Sequence, residues 1–352
     1  MVVMIKLKIG IIGLGGIADF HSEGILASGD AEIWAICDED AERLAARRVQ
    51  WNIPEDRAYL SYSELLRNPE VDAVTIGTPT VSHFSIAMAA IGHGKPFALE
   101  KPVGMNAEEA AALGAALQNK PLPHMICFSY RYKAAARYAK QLIEEGRLGA
   151  IRHVYSQYLQ DWGIHEDIPL VWRFVKSVTG SGAFGDLGCH MLDLTRFLVG
   201  RTERVIADAD TIIKQRNLPD GSGQGEVDVD DYCHVLSRME GGISASMMIS
   251  RFAYGRGNYQ QIEIYGTKGA LVYNLDAEDS LEVKFKEEGD NEFRPVDIPD
   301  HCRTGQMQAF FNLLNGRGDG LDATMEDGYV NQLAVDAIIQ SFTEERWIDI
   351  QK

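Results

Sequence analysis

Hydrophobic and polar positions change rhythm partway along the chain. From Ile5 to about Ile126, short β-branched runs alternate with stretches of helical period. Strands are expected at Lys8–Ile12, Ala31–Cys37, Val71–Ile76 and Pro96–Glu100, with helices at Ala41–Gln50, Tyr62–Arg67 and Val81–Gly92. Apolar runs of this length between helices indicate a parallel sheet covered on both faces, a doubly wound α/β domain. Beyond Ile126, helices at Ala134–Glu145 and Ala183–Val199 accompany strand-like runs at Ile151–Gln160, Val205–Ile213, Tyr232–Arg238, Ile243–Ser250, Gln261–Tyr265, Leu271–Leu275 and Leu281–Phe285. Gly241-Gly242 and Gly266–Gly269 have the form of hairpin turns, and Asn217–Glu226 reads as a loop. Short turns between successive strands mean a mainly antiparallel, open sheet. Residues 127–352 are therefore expected to form an α+β domain following a first domain of residues 1–126.

Composition narrows the function classes. Acidic residues outnumber basic ones by 51 to 34, and the excess is spread along the chain, with 16 acidic and 10 basic residues up to Ile126. A net charge of −17 disfavours nucleic acid or an anionic membrane surface as partner. The five cysteines are scattered and form no C-x-x-C pair, which fits a reducing, cytoplasmic setting. The apolar start at Met1–Ile5 is too short for a signal-peptide core, and no run of apolar residues reaches membrane-spanning length. No H-x-x-x-H or H-E-x-x-H cluster is present among the nine histidines, so no metal is expected.

The first strand runs directly into Gly13-Leu14-Gly15-Gly16-Ile17-Ala18, of the form G-x-G-x-x-A. After a strand and at the opening of a helix, this is the dinucleotide turn of a Rossmann fold. Gly13 permits the tight turn and Gly15 lets a pyrophosphate approach the backbone. Gly16 and Ile17 open the helix whose N-terminus faces the phosphates, and Ala18 lets helix and strand pack closely. Asp38 ends the second strand, where an acid accepts hydrogen bonds from an adenosine ribose, or alternatively caps the next helix. Glu39 and Asp40 follow, with no Arg or Lys beside them. A 2′-phosphate facing one such carboxylate at roughly 4 Å would meet repulsion of about 4 kcal/mol at an effective dielectric near 20. NAD is therefore expected over NADP.

Further segments carry a family resemblance. Asp72–Pro79, containing Thr78-Pro79, is followed by His83 and then by Gly94–Pro102, containing Glu100-Lys101-Pro102. In the second half, Gly180-Ser181-Gly182 leads to Asp186-Leu187-Gly188-Cys189-His190, and Gln332–Trp347 has the look of a last helix and final strand. With the opening glycines, these segments resemble the Gfo/Idh/MocA oxidoreductases over almost the whole chain. The resemblance implies that Thr78, Pro79, His83, Glu100 and Lys101 serve the cofactor, and that Lys101, Asp186 and His190 are catalytic. On spacing alone, Asp186 and His190 share one helix face at the edge of an apolar stripe, which suits either a cleft or a surface acid–imidazole pair. The chemistry implied is oxidation of a secondary alcohol. His190 acts as general base, Lys101 holds the same oxygen, and Asp186 orients His190 or bonds a neighbouring hydroxyl.

Tyr158–Trp162, Trp172-Arg173-Phe174, Ser250-Arg251-Phe252 and Gly255–Asn258 resemble the branch holding inositol dehydrogenases and levoglucosan-type sugar dehydrogenases. That implies a small uncharged polyol or sugar, with Trp162 stacking on its ring and Tyr130, Gln160 and Arg173 bonding hydroxyls. Trp162 is equally suited to a core or interface. His165-Glu166-Asp167 has no counterpart in that pattern. The resemblance also implies a homodimer or homotetramer formed through the open sheet face, with Met247-Met248-Ile249 on that face or in the core. Two other readings of the same fold are a dinucleotide-binding sensor without catalysis and an NAD-dependent redox glycosidase.

Overall fold

A computed structural model describes residues 6–275, 279–289 and 292–350, so the apolar start at Met1–Ile5 lies outside it. The chain divides into two compact units, Met1–Cys127 with Thr304–Tyr329, and Phe128–Arg303 with Val330–Lys352. The first division falls after Cys127, and residues 304–329 group with the first unit. Helix packing gives the reason. A Cβ on Gly24 would lie 2.7 Å from Met307 Cβ, so α1 (Ile17–Ser28) accepts α9 (Gln306–Leu314) at a glycine.

The first unit alternates β1 (Leu7–Ile12), α1, β2 (Ala31–Cys37), α2 (Ala41–Gln50), β3 (Ala58–Tyr59), α3 (Tyr62–Arg67), β4 (Ala73–Ile76), α4 (His83–His93), β5 (Phe97–Leu99), α5 (Ala107–Asn119) and β6 (His124–Ile126). Its strands are parallel in the order β3-β2-β1-β4-β5-β6. That order reverses between β1 and β4, so the ligand crevice of such a sheet lies beyond their C-terminal ends. Two elements are not announced by the alternation. Helix α5 is alanine-rich with little polar contrast between faces, and β6 has only three residues. The sheet's ladder continues one bond past the strand ends. Gly77 N–H donates to Ile12, Glu100 N–H to Ile76 and Cys127 N–H to Leu99, so Gly13, Gly77, Glu100 and Cys127 form one row at the C-terminal edge.

The second unit follows with α6 (Ala134–Glu144), β7 (Ile151–Leu159), α7 (Lys176–Thr179) and α8 (Cys189–Val199). Strands β8 (Thr202–Asp210), β9 (Gln215–Asn217), β10 (Gln224–Glu226), β11 (Tyr232–Met239), β12 (Ile243–Ser250), β13 (Tyr259–Gly266), β14 (Gly269–Asn274), β15 (Ser280–Phe285) and β16 (Arg294–Pro295) come next. After α9 the chain ends in α10 (Met325–Glu344) and β17 (Ile348–Asp349). Strands β16-β15-β14-β13-β7-β12-β11-β8-β17 form one sheet, antiparallel except for the β7–β12 pair. Strand alternation in β12 puts Met247 and Ile249 inward and buried, while Met248 is exposed beside Tyr155 and Leu236 on the opposite face.

Three local expectations are corrected here. The strand expected at Val205–Ile213 ends at Asp210, because Ile212 and Ile213 donate their N–H groups to the Asp231 carboxylate at 2.8 and 3.2 Å. The loop expected at 217–226 carries the arms of a two-stranded hairpin, β9 and β10. The helix expected at Ala183–Val199 opens with a π-helical turn over Phe184–Gly188 before becoming α-helical at Cys189. Among the described residues no helix is long and apolar enough to cross a membrane.

In the first unit, His124 Nε2 accepts the Met325 N–H at 3.1 Å, so the ring proton sits on Nδ1, which donates to Leu122 at 2.8 Å. Burial holds its pKa below the ordinary histidine value near 6.5. The unfolded chain then takes up this proton before the folded one, and stability must fall as pH drops through about 6.5. Thermal melts between pH 7.5 and 5 should show this decline, and His124→Gln should flatten it; an unchanged slope in the variant contradicts the assignment.

Candidate functional site

In the first unit the glycine turn is shaped by what lies behind it. Gly13 has φ +88°, and a Cβ there would lie 2.7 Å from the Gly77 backbone, so only glycine lets the β1 and β4 turns touch. At Gly15 and Gly16 a Cβ would meet nothing within 4 Å among the described residues, which leaves an open face above the turn. Helix α1 starts there without a side-chain cap, presenting its N-terminal dipole to that space. Ile17 is partly exposed on the same turn and Ala18 is fully buried beneath it.

The turn is held from below by Asp38 and from α2 by Arg47. Leu14 N–H donates to Asp38 Oδ2 at 2.8 Å and Asp40 N–H to Asp38 Oδ1 at 2.9 Å. Arg47 reaches the Leu14 carbonyl at 3.3 Å while paired to Asp19. The α2 cap is Asp40, not Asp38, accepting from Glu42 and Arg43 at 3.0 Å each. The expectation that no cation lies beside Asp38 is corrected. Arg43, one helical turn on, sits 3.1 Å from Asp38 and 3.0 Å from Asp40. The carboxylate repulsion reckoned for an isolated acid is therefore largely offset by the Arg43 guanidinium.

The remaining loops of this edge are tied to one another. Ser82 Oγ donates to Thr78 Oγ1 at 2.8 Å, and Pro79 opens the turn that leads to α4. His83 is buried, with its ring nitrogens 2.7 Å from the Pro102 carbonyl and 2.8 Å from that of Thr78. It joins the Thr78-Pro79 turn to the Lys101-Pro102 segment. Burial outweighs its two carbonyl partners and keeps its pKa below the ordinary value. Glu100 is buried; His21 Nε2 lies 3.1 Å from Oε1, and the Lys101 N–H donates to Oε2 at 3.3 Å. Cys127 shares that carboxylate, and burial with the adjacent charge pushes its thiol pKa well up. Among the described residues His21, Glu100 and Cys127 are close enough to hold an ion, but a thiol that keeps its proton and a carboxylate committed to donors suit a hydrogen-bonded cluster better.

In the second unit a different set is assembled. Gly182 N–H and Phe184 N–H donate to the two oxygens of buried Asp230 at 2.8 and 2.7 Å. A Cβ on Gly182 would fall 2.1 Å from the Asp230 carbonyl oxygen, so this clamp requires glycine. It starts the π-helical turn that carries Asp186. Burial raises the Asp230 pKa against those two N–H bonds. Asp186 faces two guanidinium groups, buried Arg251 at 3.1 Å and Arg173 at 3.7 Å. Arg173, expected to bond substrate hydroxyls, is thus an ion-pair partner of Asp186.

Arg131 binds Asp193 of α8 through two bonds of 2.7 and 2.6 Å, both groups buried. This brings the neighbouring Tyr130 ring to 4.6 Å from that of His190, itself buried. From Tyr130 a chain of polar groups extends outward. The Tyr130 and Tyr158 hydroxyls are 2.8 Å apart, Tyr158 donates to Asn258 Oδ1 at 2.6 Å, and Gln160 Nε2 donates to the same oxygen at 2.9 Å. Trp162 Nε1 donates to Gln160 Oε1 at 2.7 Å. Burial and the Tyr130 hydroxyl raise the Tyr158 pKa, so it stays a phenol. The Trp162 ring packs 5.4 Å from Phe174, under Arg251. Tyr158, Asn258 and Arg251 were not among the expected site residues. Inward alternation on β7 marks the first, and Arg251 and Asn258 lie in the Ser250–Phe252 and Gly255–Asn258 segments that carry the branch resemblance, without a spacing of their own that singles them out.

The unmatched His165-Glu166-Asp167 segment also finds a structural partner. Arg216, almost wholly buried over the Phe174 ring, donates to the carbonyls of Gly163, His165 and Ile168 at 2.6, 2.7 and 3.2 Å. The acids of this run lie near a desolvated cation.

Comparison with known proteins adds the relatives. Residues 7–128 match the model described as oxidoreductase family, NAD-binding Rossmann fold, and residues 136–272 match the GFO/IDH/MocA C-terminal domain. The chain is 33% identical to a levoglucosan dehydrogenase of Pseudarthrobacter phenanthrenivorans, with 99% of each chain covered. It is 27% identical to a myo-inositol 2-dehydrogenase of Thermotoga maritima, over 98% of this chain and 99% of that protein. A solved levoglucosan dehydrogenase in complex with NADH and L-sorbose superposes with a TM-score of 0.91 at 32% identity, covering 98% of this chain and 99% of that one.

The Asp38–Arg43 contact generates a cofactor prediction. Asp38→Ser should weaken NADH binding about tenfold or more and tighten NADPH binding by releasing Arg43, and adding Arg43→Ala should cancel the NADPH gain. Fluorescence titrations with both nucleotides check this; an unchanged NADPH-to-NADH ratio in Asp38→Ser contradicts it.

Proposed function

The chain belongs to the Gfo/Idh/MocA oxidoreductases, and from that premise we propose that it oxidises a secondary ring hydroxyl of an uncharged sugar, anhydrosugar or inositol. The observation that carries this reading is the hydroxyl and amide network from Tyr130 through Tyr158, Asn258 and Gln160 to Trp162, beginning at the His190 ring. Neutral groups that both donate and accept suit a polyol. A phosphorylated sugar would call for free cations, whereas Arg251 and Arg173 are engaged by Asp186.

Gly13, Gly15, Gly16, Ile17 and Asp38, with the Thr78-Pro79 turn and Glu100-Lys101, are the groups proposed to hold NAD; the open face at Gly15 and Gly16 fits a pyrophosphate. When bound, NAD accepts the hydride leaving the carbinol carbon. His190 takes the hydroxyl proton as general base. Lys101 donates a hydrogen bond to the same oxygen and stabilises negative charge as the O–H bond breaks. Asp186, held between two guanidinium groups, is preset to accept a hydrogen bond from a substrate hydroxyl. The ketone and one proton leave. Met248, Tyr155 and Leu236 make the outer sheet face the proposed surface for dimer or tetramer formation.

The test is NADH formation over a panel of inositols, anhydrosugars, hexoses and glycosides, with Lys101→Ala and His190→Ala variants. At least one cyclitol or sugar should yield NADH, and each variant should lose roughly 10²–10⁴-fold in kcat while NAD affinity changes little. Variants with near-normal turnover sink the mechanism. Glycoside cleavage without net NADH would point to the redox glycosidase, and NAD binding without turnover of any compound to a sensor.

A further inference from the structure

We infer that His21 is a positioning residue for the oxidation: through Glu100 it fixes the backbone at Lys101. The inference rests on the proposed role of Lys101. His21 lies on α1, eight residues after Gly13, and no comparison assigns it a role. Its side chain is completely buried against Gly77, Glu100 and Cys127 at the C-terminal edge of the sheet. The ring edge bearing Nδ1 covers Gly77: a Cβ built there would lie 3.6 Å from His21 Cε1 and 3.8 Å from Nδ1. Nε2 meets Glu100 Oε1 at 3.1 Å, and the other oxygen of that carboxylate accepts the Lys101 N–H.

Packing alone does not account for a histidine here. Nδ1 is buried and has no hydrogen-bond partner among the described residues, which is unfavourable, and a leucine or methionine would fill the same space without that cost. The ring is retained for its single bond to Glu100. Without that bond, one oxygen of a buried carboxylate loses a donor, and the carboxylate is free to rotate away from the Lys101 peptide. The main chain leaving β5 then loses a defined direction at the residue that must meet the substrate oxygen. A side chain on the helix that begins at the dinucleotide turn thereby sets the geometry of a lysine on a different loop. Displacements near 1 Å at such a group lower the rate far more than they lower binding.

The experiment compares His21→Leu, His21→Asn, His21→Gln and Lys101→Ala in the full chain, using NAD and a polyol that the wild type oxidises. Glutamine is long enough to donate to Glu100, and asparagine is not. Leu and Asn should lower kcat by roughly 10- to 100-fold, with NAD affinity and polyol KM within about threefold of wild type, while Gln recovers most of the loss. Amide hydrogen exchange, read without substrate, should be faster at Lys101 in the Leu and Asn variants and near wild type in Gln. Combining His21→Leu with Lys101→Ala should be no slower than Lys101→Ala alone. If the Leu variant does not fold, the Asn–Gln contrast decides. The inference is overturned if Asn and Gln behave alike, or if kcat stays within twofold of wild type while Lys101→Ala is inactive. An active Lys101→Ala overturns the parent reading instead, and this inference with it.

Discussion

Carboxylates buried at the ends of strands, each accepting main-chain N–H groups, are what the loops of both units depend on. Asp38 holds Leu14 and Asp40, Glu100 holds Lys101, Asp230 holds Gly182 and Phe184, and Asp231 holds Ile212 and Ile213. A loop that leaves a sheet edge has lost its ladder partners, and an ionised oxygen replaces them with stronger, directed bonds. The cost is desolvation, seen in the raised pKa values of Asp230 and Asp231. Arg251 acts electrostatically on both, and Arg43 directly on Asp38. A fixed backbone is the return, and a site made of loops needs one more than it needs extra stability.

This pattern separates what could be read along the sequence from what could not. The alternating runs of the first unit, the glycine turn and the hairpin glycines at 241–242 are local signals, and each specifies its own backbone. The folded structure has a strand ending at Asp210 and a π-helical turn at Phe184 because Asp231 and Asp230, about twenty to fifty residues away, intercept the N–H groups. Residues 304–329 hold α9, a glycine-rich loop and the start of α10, and the contacts of Met307 with Gly24 and of Gln308 with Asp30 show where α9 packs.

The site divides in the same way. Family resemblance, together with the glycine motif, pointed to the glycines, Asp38, Glu100-Lys101 and the Asp186–His190 segment as candidates. It could not show that Arg43 bends back onto Asp38, that both nitrogens of His83 face carbonyls, or that Arg173 pairs with Asp186. Those are side-chain contacts across elements, set by helix phase and burial. The acidic balance of the chain has a related reading: many of the acids that matter are interior clamps, so net charge speaks to solubility and bulk partners only.

The most direct measurement follows the hydride itself. A polyol that the enzyme accepts, deuterated at the reacting carbinol carbon, is converted with NAD and the reduced cofactor examined by NMR. One deuterium is expected at the nicotinamide C4 for each ketone formed, on a single face of the ring, with the rate lowered by the label. Reduced cofactor free of deuterium, or ketone formed without reduced cofactor, would contradict it.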